Sequence, residues 1–294
     1  MSNVSETPTH PLRPLAECRE WLAMNTATLG YRLPIEQTVD AVARAGFGAI
    51  APWRQEVERA EVNVPALARQ IRAAGLQVSG YVRTAYFSGT DATARQAAIE
   101  DNRRALQVAA ELGASCYVAV VGGLSADKPA LSDSRQVIVD GLLALGETAK
   151  QVGVPIALEP LHPMYAADRS VLNTLAQTRE WLSTLQLEYP EQFGVAVDAY
   201  HVWWDPSLAS GIQALTGNIL AYHVCDWLSP TQDMLMDRGM MGDGVVQLPA
   251  LRHLVEATGY ARFVEVEIFS QNNWWKRPVD EVLQVCMQRL LTVC

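Results

Sequence analysis

Four apolar, β-prone runs in the second half of the chain carry ionisable side chains near their C-terminal ends. IALEPLH holds Glu159 and His162, VAVDAYH holds Asp198 and His201, AYHVCDW holds His223 and Asp226, and VEVEIFS holds Glu265 and Glu267. A carboxylate inside an apolar strand is costly unless it is paired, hydrogen-bonded or metal-bound. One such residue reads as a satisfied core group, but four on successive runs near the same rim point to a shared site. Glu159, Asp198, His223 and Glu267 would present three carboxylates and one imidazole together. Oxygen-rich ligation with one histidine suits one divalent metal ion, Mn²⁺ first, with Mg²⁺, Co²⁺ or Zn²⁺ also accommodated. Glu265 and Glu267 share a strand face, so either reaches inward. Glu267, nearer the rim, is preferred, and Glu265 reads as a deeper, hydrogen-bonded carboxylate.

Other residues have both a functional and a structural reading. His162 follows Glu159 by three and either lines the pocket or serves its loop. Asp226 either orients a neighbour from outside the ligand set or caps a turn. Arg54 and Arg83 close the second and third β-prone runs, where they bind a substrate hydroxyl or carboxylate or are simply solvated. The pairs Trp203–Trp204 and Trp274–Trp275 follow the sixth and eighth runs. An aromatic face at a site mouth, with Trp274 the candidate, stacks on a sugar ring or covers an oligomer contact; the alternative is packing beneath loops. His10 and His253 fall in the N-terminal stretch and in a helix, and no cysteine has a paired base, so none of these is assigned chemistry.

These side chains need a scaffold that brings strand ends together. Eight β-prone runs, at 18–26, 48–54, 77–86, 116–123, 155–162, 193–202, 220–227 and 261–270, alternate with amphipathic segments. The clearest helical segments are 34–46, 93–113, 134–153, 248–259 and 277–293, and Gly46, Gly75, Gly113, Gly153 and Gly259 fall where helix C-caps belong. Strand–helix alternation implies right-handed βαβ units and a parallel sheet. Eight units predict an α/β fold of the (β/α)8 TIM-barrel kind, whose C-terminal rim carries the chemistry. An open doubly wound sheet is disfavoured because MNTATLGYRLP, the first turn, has no GxGxxG and no Walker motif occurs. Residues 1–15 read as a loose tail and 16–294 as one barrel domain, with a long loop from about Leu228 to Gly244 that suggests a lid.

Composition narrows the partners. The 294 residues carry a net charge of −9, which argues against a nucleic-acid backbone or an anionic membrane surface. No apolar run is long enough to span a bilayer, and the N-terminal stretch lacks the basic and apolar regions of a signal peptide. An odd set of five cysteines without CxxC spacing fits reduced thiols and a cytoplasmic protein.

The pieces LEPLHP (158–163), VDAYH (197–201), YHVCD (222–226), DRGMMGDGVVQL (237–248) and VEIFS (266–270) resemble the sugar isomerase/epimerase superfamily of xylose-isomerase-like barrels. The likeness is to its inosose isomerase and ketose 3-epimerase branches and covers the C-terminal half; the N-terminal half shares only the strand–helix rhythm. It implies that Glu159, Asp198, His223 and Glu267 bind one divalent metal, that Glu159 and Glu267 act as acid and base, and that His201 and Arg238 contact substrate oxygens. The implied activity is isomerisation or epimerisation of a sugar or cyclitol, by proton transfer next to a carbonyl through an enediolate. The alternative is a lyase using the same base and metal to expel the aglycone of a 3-keto-glycoside. The expected partner is a small molecule, with a homo-oligomer allowed. An endonuclease branch shares the scaffold but resembles a site with many more histidines and a basic surface, and this chain has five histidines.

Overall fold

The computed structural model describes residues 12–294; His10 and most of the expected tail lie outside this range. Strands β1 (Leu22–Asn25), β2 (Ala49–Ala51), β3 (Gln77–Val78), β4 (Tyr81–Val82), β5 (Tyr117–Ala119), β6 (Ile156–Leu158), β7 (Phe193–Asp198) and β8 (Ile219–Val224) precede a hairpin of β9 (Asp226–Trp227) and β10 (Arg238–Gly239), and β11 (Val264–Val266) completes the barrel. The barrel order is β3-β2-β1-β11-β8-β7-β6-β5-β4, with every pairing parallel.

The third β-prone run forms two strands rather than one. Ser79 N–H still donates to Ile50 on one side, whereas Tyr81 N–H donates to Cys116 on the other. The backbone thus changes partners at Ser79–Gly80, and the bridges Val78–Ala114 and Trp53–Val82 close the seam. Nine strands therefore supply eight staves, as a TIM barrel requires.

Eight helices form the outer wall: α1 (Ile35–Arg44), α3 (Val64–Ala73), α4 (Ala92–Leu112), α5 (Leu131–Val152), α6 (Leu175–Glu188), α8 (Leu208–Gln213), α9 (Leu248–Ala257) and α10 (Val279–Val293). Two short helices, α2 (Arg54–Val57) and α7 (Ala199–Val202), sit directly on the ends of β2 and β7. Helix α1 shows the common logic, since Ile35, Val39 and Val42 recur at helical spacing and all are buried against the sheet. Helix α4 begins where the Asp91 carboxylate accepts the Ala94 N–H and ends at Gly113, whose φ of +77° makes the left-handed turn. No helix among the described residues is long and apolar enough to cross a membrane.

The alternation of strand side chains places the site. Large side chains such as Leu22, Met24 and Ile50 face the helices, while Ala157, Ala196 and Ala221 line the barrel interior with Val82 and Val118. Two residues further along the same face stand Glu159, Asp198 and His223. Small residues low in the barrel and ionisable ones at its rim thus follow from one period-2 pattern.

At the N-terminal end, Arg13 pairs with Glu256 at 3.1 Å and Leu15 is buried, so chain expected to be loose is docked from that point. The long loop is anchored at its base. The Asp226 carboxylate accepts the backbone N–H groups of Gly242, Gly244 and Val246, each at 2.9 Å. A side chain at Gly244 would press within 2.1 Å of the Trp227 carbonyl oxygen, which explains a glycine there.

Candidate metal centre and substrate chamber

Glu159, Asp198, His223 and Glu267 converge, and one ligand atom from each lies within 4.8 Å of all the others. All four are buried, Asp198 and His223 completely. His223 Nδ1 faces the cluster, 3.3 Å from Glu159 Oε1 and 3.8 Å from Glu267 Oε2. Glu159 Oε1 and both His223 ring nitrogens have no hydrogen-bond partner among the described residues. Buried polar atoms left open in this way fit a missing ligand rather than a finished core.

Electrostatics agree. Four carboxylates, those of Glu159, Asp198, Glu265 and Glu267, face one guanidinium and two imidazoles, those of His223 and His201. Burial opposes a charge on His223, yet Glu265, Glu159 and Glu267 hold its pKa well above the usual range. Burial, with Glu159 and Asp198 adding, pushes Glu267 up to about 8 against the pull of Arg238 and His223. Asp198 is held below the ordinary value because Arg238, His201 and His223 outweigh its burial. A divalent cation among these donors would relieve the excess of negative charge, and the donor set fits one.

A supporting layer fixes the side chains of the cluster. Glu265 accepts hydrogen bonds from Asn25 Nδ2 at 2.8 Å and Ser79 Oγ at 2.7 Å, and lies 3.5 Å from His223 Nε2. A carboxylate behind the far ring nitrogen orients the imidazole and leaves Nδ1 for the centre. Asn25 Nδ2 also donates to Glu267 Oε1 at 3.1 Å, and its Oδ1 accepts from Trp53 Nε1 at 2.9 Å. Neither Asn25 nor Ser79 was expected from the sequence; the available signal was a polar residue ending β1 and one between β3 and β4.

Arg238 enters from β10, on the return leg of the long loop. Its Nη1 donates to Asp198 Oδ2 at 2.9 Å and Glu267 Oε2 at 3.2 Å, and its guanidinium lies over the rings of Tyr200 and Phe269. Its Nη2 is 3.3 Å from His201 Nε2. His201 Nδ1 accepts the backbone N–H of His162 at 3.2 Å, so the neutral ring carries its proton on Nε2. Burial pushes its pKa down to about 3, with Arg238, His162 and Arg169 adding to that and Asp198 opposing. His201 is therefore a fixed hydrogen-bond donor.

A narrow inner cavity bordered by Glu159, His201, Arg238 and Glu267 opens towards an outer chamber of about 540 Å³. Tyr31, Trp53, Phe269 and Trp275 supply the aromatic part of the chamber wall. Three expected substrate contacts are placed differently from the rest. Trp274 is buried in the core and Trp275 lines the chamber instead, because adjacent residues of the 3-10 turn Trp274–Lys276 point about 120° apart. Gly30, with φ +70°, allows the Trp275 ring its close approach, since a Cβ there would meet it at 2.7 Å. His162 is half-buried and stacks on Trp227 at 5.0 Å, outside both cavities. Arg54 does line the chamber, but Glu58 at 2.6 Å and Asp101 at 2.7 Å already engage its guanidinium.

The family described as xylose isomerase-like TIM barrel matches residues 39–288. An inosose isomerase of Halalkalibacterium halodurans is 26% identical over 185 residues, a stretch covering 60% of this chain and 61% of that protein. The crystal structure of protein SMc04130 from Sinorhizobium meliloti 1021 is 47% identical, with a TM-score of 0.89 over 94% of this chain and 98% of that one. The structure of an IolI protein with a bound zinc atom is 21% identical, with a TM-score of 0.79 over 92% and 97% of the two chains, a likeness of fold.

Proposed function

We propose that this chain, which belongs to the xylose isomerase-like TIM barrel family, is a divalent-metal-dependent isomerase or epimerase of a sugar or cyclitol. The observation that carries this reading is the buried cluster of Glu159, Asp198, His223 and Glu267, one ligand atom of each within 4.8 Å of the others, with Glu159 Oε1 and His223 Nδ1 left without partners among the described residues. The partial likeness to an inosose isomerase supports the reaction class.

When bound by these four residues, the metal, Mn²⁺ in our reading, supplies Lewis-acid polarisation of a substrate carbonyl and its neighbouring hydroxyl. The residues do the rest. Glu159 follows β6 and Glu267 follows β11, with β7 and β8 between them, so the two carboxylates approach the substrate from different parts of the rim. One removes the proton next to the carbonyl. Return from the other inverts that carbon, and return by the same group to the adjacent carbon isomerises it. Arg238 and the His201 Nε2–H donate to the oxygens that gain charge as an enediolate forms. The aromatic chamber wall orients the substrate and limits water.

Elimination is a second reading, favoured by the size of the outer chamber. The same proton abstraction on a 3-keto-glycoside would expel an aglycone seated there. Incubation of metal-loaded protein in D₂O with keto-sugars, inososes and 3-keto-glycosides tests both. Deuterium at the carbon next to the carbonyl, with an epimer or isomer accumulating, supports the first reading; aglycone release without an epimer supports the second. Absence of exchange with every class refutes both.

A further inference from the structure

We propose that the substrate carries an anionic substituent, a carboxylate or a phosphate, held by Arg83 and Arg169 where the inner cavity meets the outer chamber. This deepens the preceding reading and rests on it, because it takes the reacting carbonyl to lie at the metal centre.

Both arginines line both cavities. Neither forms an ion pair with a carboxylate among the described residues, whereas Arg54 in the same chamber is matched by two. Scarcity of acid is not the reason, since the chain carries 32 acidic residues against 23 basic ones. Each guanidinium is mounted on a tyrosine: Arg83 lies 5.0 Å from the Tyr86 ring centre and Arg169 lies 5.2 Å from that of Tyr165. Arg83 Nη1 also donates to Tyr86 Oη at 2.8 Å. Tyr86 packs against the buried cluster of Val120, Leu161 and Tyr165, so the tyrosines beneath the two cations share one patch of packing beside the cavities that both arginines line. Arg169 Nε is buried with no hydrogen-bond partner among the described residues.

A stacked guanidinium with open edges is fixed in orientation yet unsatisfied, and its planar fork matches carboxylate and phosphate oxygens. The carboxylates of the metal centre repel such a group and the arginines attract it. The substrate is thereby oriented end to end, carbonyl inward and anion on the Arg83–Arg169 wall.

The test is calorimetric titration of the metal-loaded protein with compounds differing in one group. D-fructose is compared with D-fructuronate and with D-fructose 6-phosphate, and 3-oxocyclohexanecarboxamide with 3-oxocyclohexanecarboxylate. In at least one comparison the anion should bind about tenfold or more tighter, and Arg83→Gln and Arg169→Gln should each remove about tenfold of that preference. The lysine variants should recover part of it, and the neutral compounds should bind the Gln variants within about twofold of wild type. Preference for carboxylates alone identifies a keto acid, and preference for the phosphate alone a sugar phosphate. Equal binding of neutral and anionic members, no binding by any anion, or equal losses for both classes in the variants overturns the proposal. Failure of the isomerase reading is separate, appearing as no α-proton exchange whatever the charge preference.

Discussion

The inner rim and the outer chamber are built on opposite terms. At the rim, side chains from β7, β8 and β11 are held by one another and by two from β1 and β10: Arg238 pairs with Asp198 and Glu267, Asn25 bridges Glu265 and Glu267, and Glu265 stands behind His223. Two atoms left without partners there, Glu159 Oε1 and His223 Nδ1, face each other at 3.3 Å. In the chamber, the walls come largely from loops and short turns, and Arg83 and Arg169 line the space with no carboxylate paired to either among the described residues. Strand ends vary little in position because the sheet hydrogen bonds locate them, whereas loops can change the chamber and leave the chemistry intact. On the proposed function, the rim sets the reaction and the chamber selects what undergoes it.

The most severe break of this division comes from the rim. His223→Ala or Asp198→Asn should lower metal affinity by about 100-fold or more and abolish turnover, with metal content read by elemental analysis after dialysis. Full metal content with full activity in either variant would remove the centre from the mechanism. Glu159→Gln and Glu267→Gln test the chemistry itself and should each reduce kcat by about 10²–10⁴-fold. One of them should still wash the substrate α-proton into solvent, because a single carboxylate can abstract and return it on its own face. Each Gln keeps a coordinating oxygen but loses a charge, so metal occupancy is measured in parallel. Smaller again is Glu265→Gln, which leaves the ligands in place but removes the anion behind His223. Metal affinity should fall about 10–100-fold, and kcat at saturating metal should stay within about tenfold of wild type. An unchanged metal affinity would make Glu265 a packing residue.

What could be read from the chain alone follows the same division. Glu159, Asp198, His223 and Glu267 stood out because a charged residue in an apolar run is costly, and the period of a strand placed three of them on the face of Ala157, Ala196 and Ala221. The barrel rhythm was legible for the same reason. The split of the third stave was not, since Gln77–Val82 has the composition of one strand and breaks only because its backbone changes neighbours. Asn25 and Ser79 were silent because polar residues at strand ends are ordinary, and their meaning appears only once Glu265, 240 and 186 positions away, lies against them. Trp274 and Trp275 are adjacent and chemically identical, so only the turn decides which one sees the chamber. For Arg54 and Arg83, what separates a spent cation from an open one is the presence of Glu58 and Asp101, a tertiary fact.

The smallest effect lies beneath the chamber wall and concerns stability. Glu56, in α2 just after Trp53, is 2% exposed. Unlike the rim carboxylates it has no cation in ion-pair contact among the described residues; its partner is the Thr26 hydroxyl, which in turn accepts the Trp53 N–H at 3.0 Å. Burial pushes its pKa from 4.5 up to about 7, against the pull of Thr26, Arg59 and the Trp53 backbone. A raised acid pKa means that the folded state holds the proton more tightly than the unfolded chain does. Its contribution to stability is therefore complete below about pH 4.5, declines as pH rises through about 7, and is lost above that. Glu56→Gln keeps an oxygen to accept the Thr26 hydroxyl but cannot ionise. In urea denaturation with chelator present throughout, wild type and variant should be close at pH 5, and the variant should be the more stable by about 1–3 kcal/mol at pH 8. A difference that stays constant between the two pH values would show that Glu56 ionises as freely in the fold as in the unfolded chain. Carboxylates at the rim would then not be distinguished from this one by the cations that accompany them.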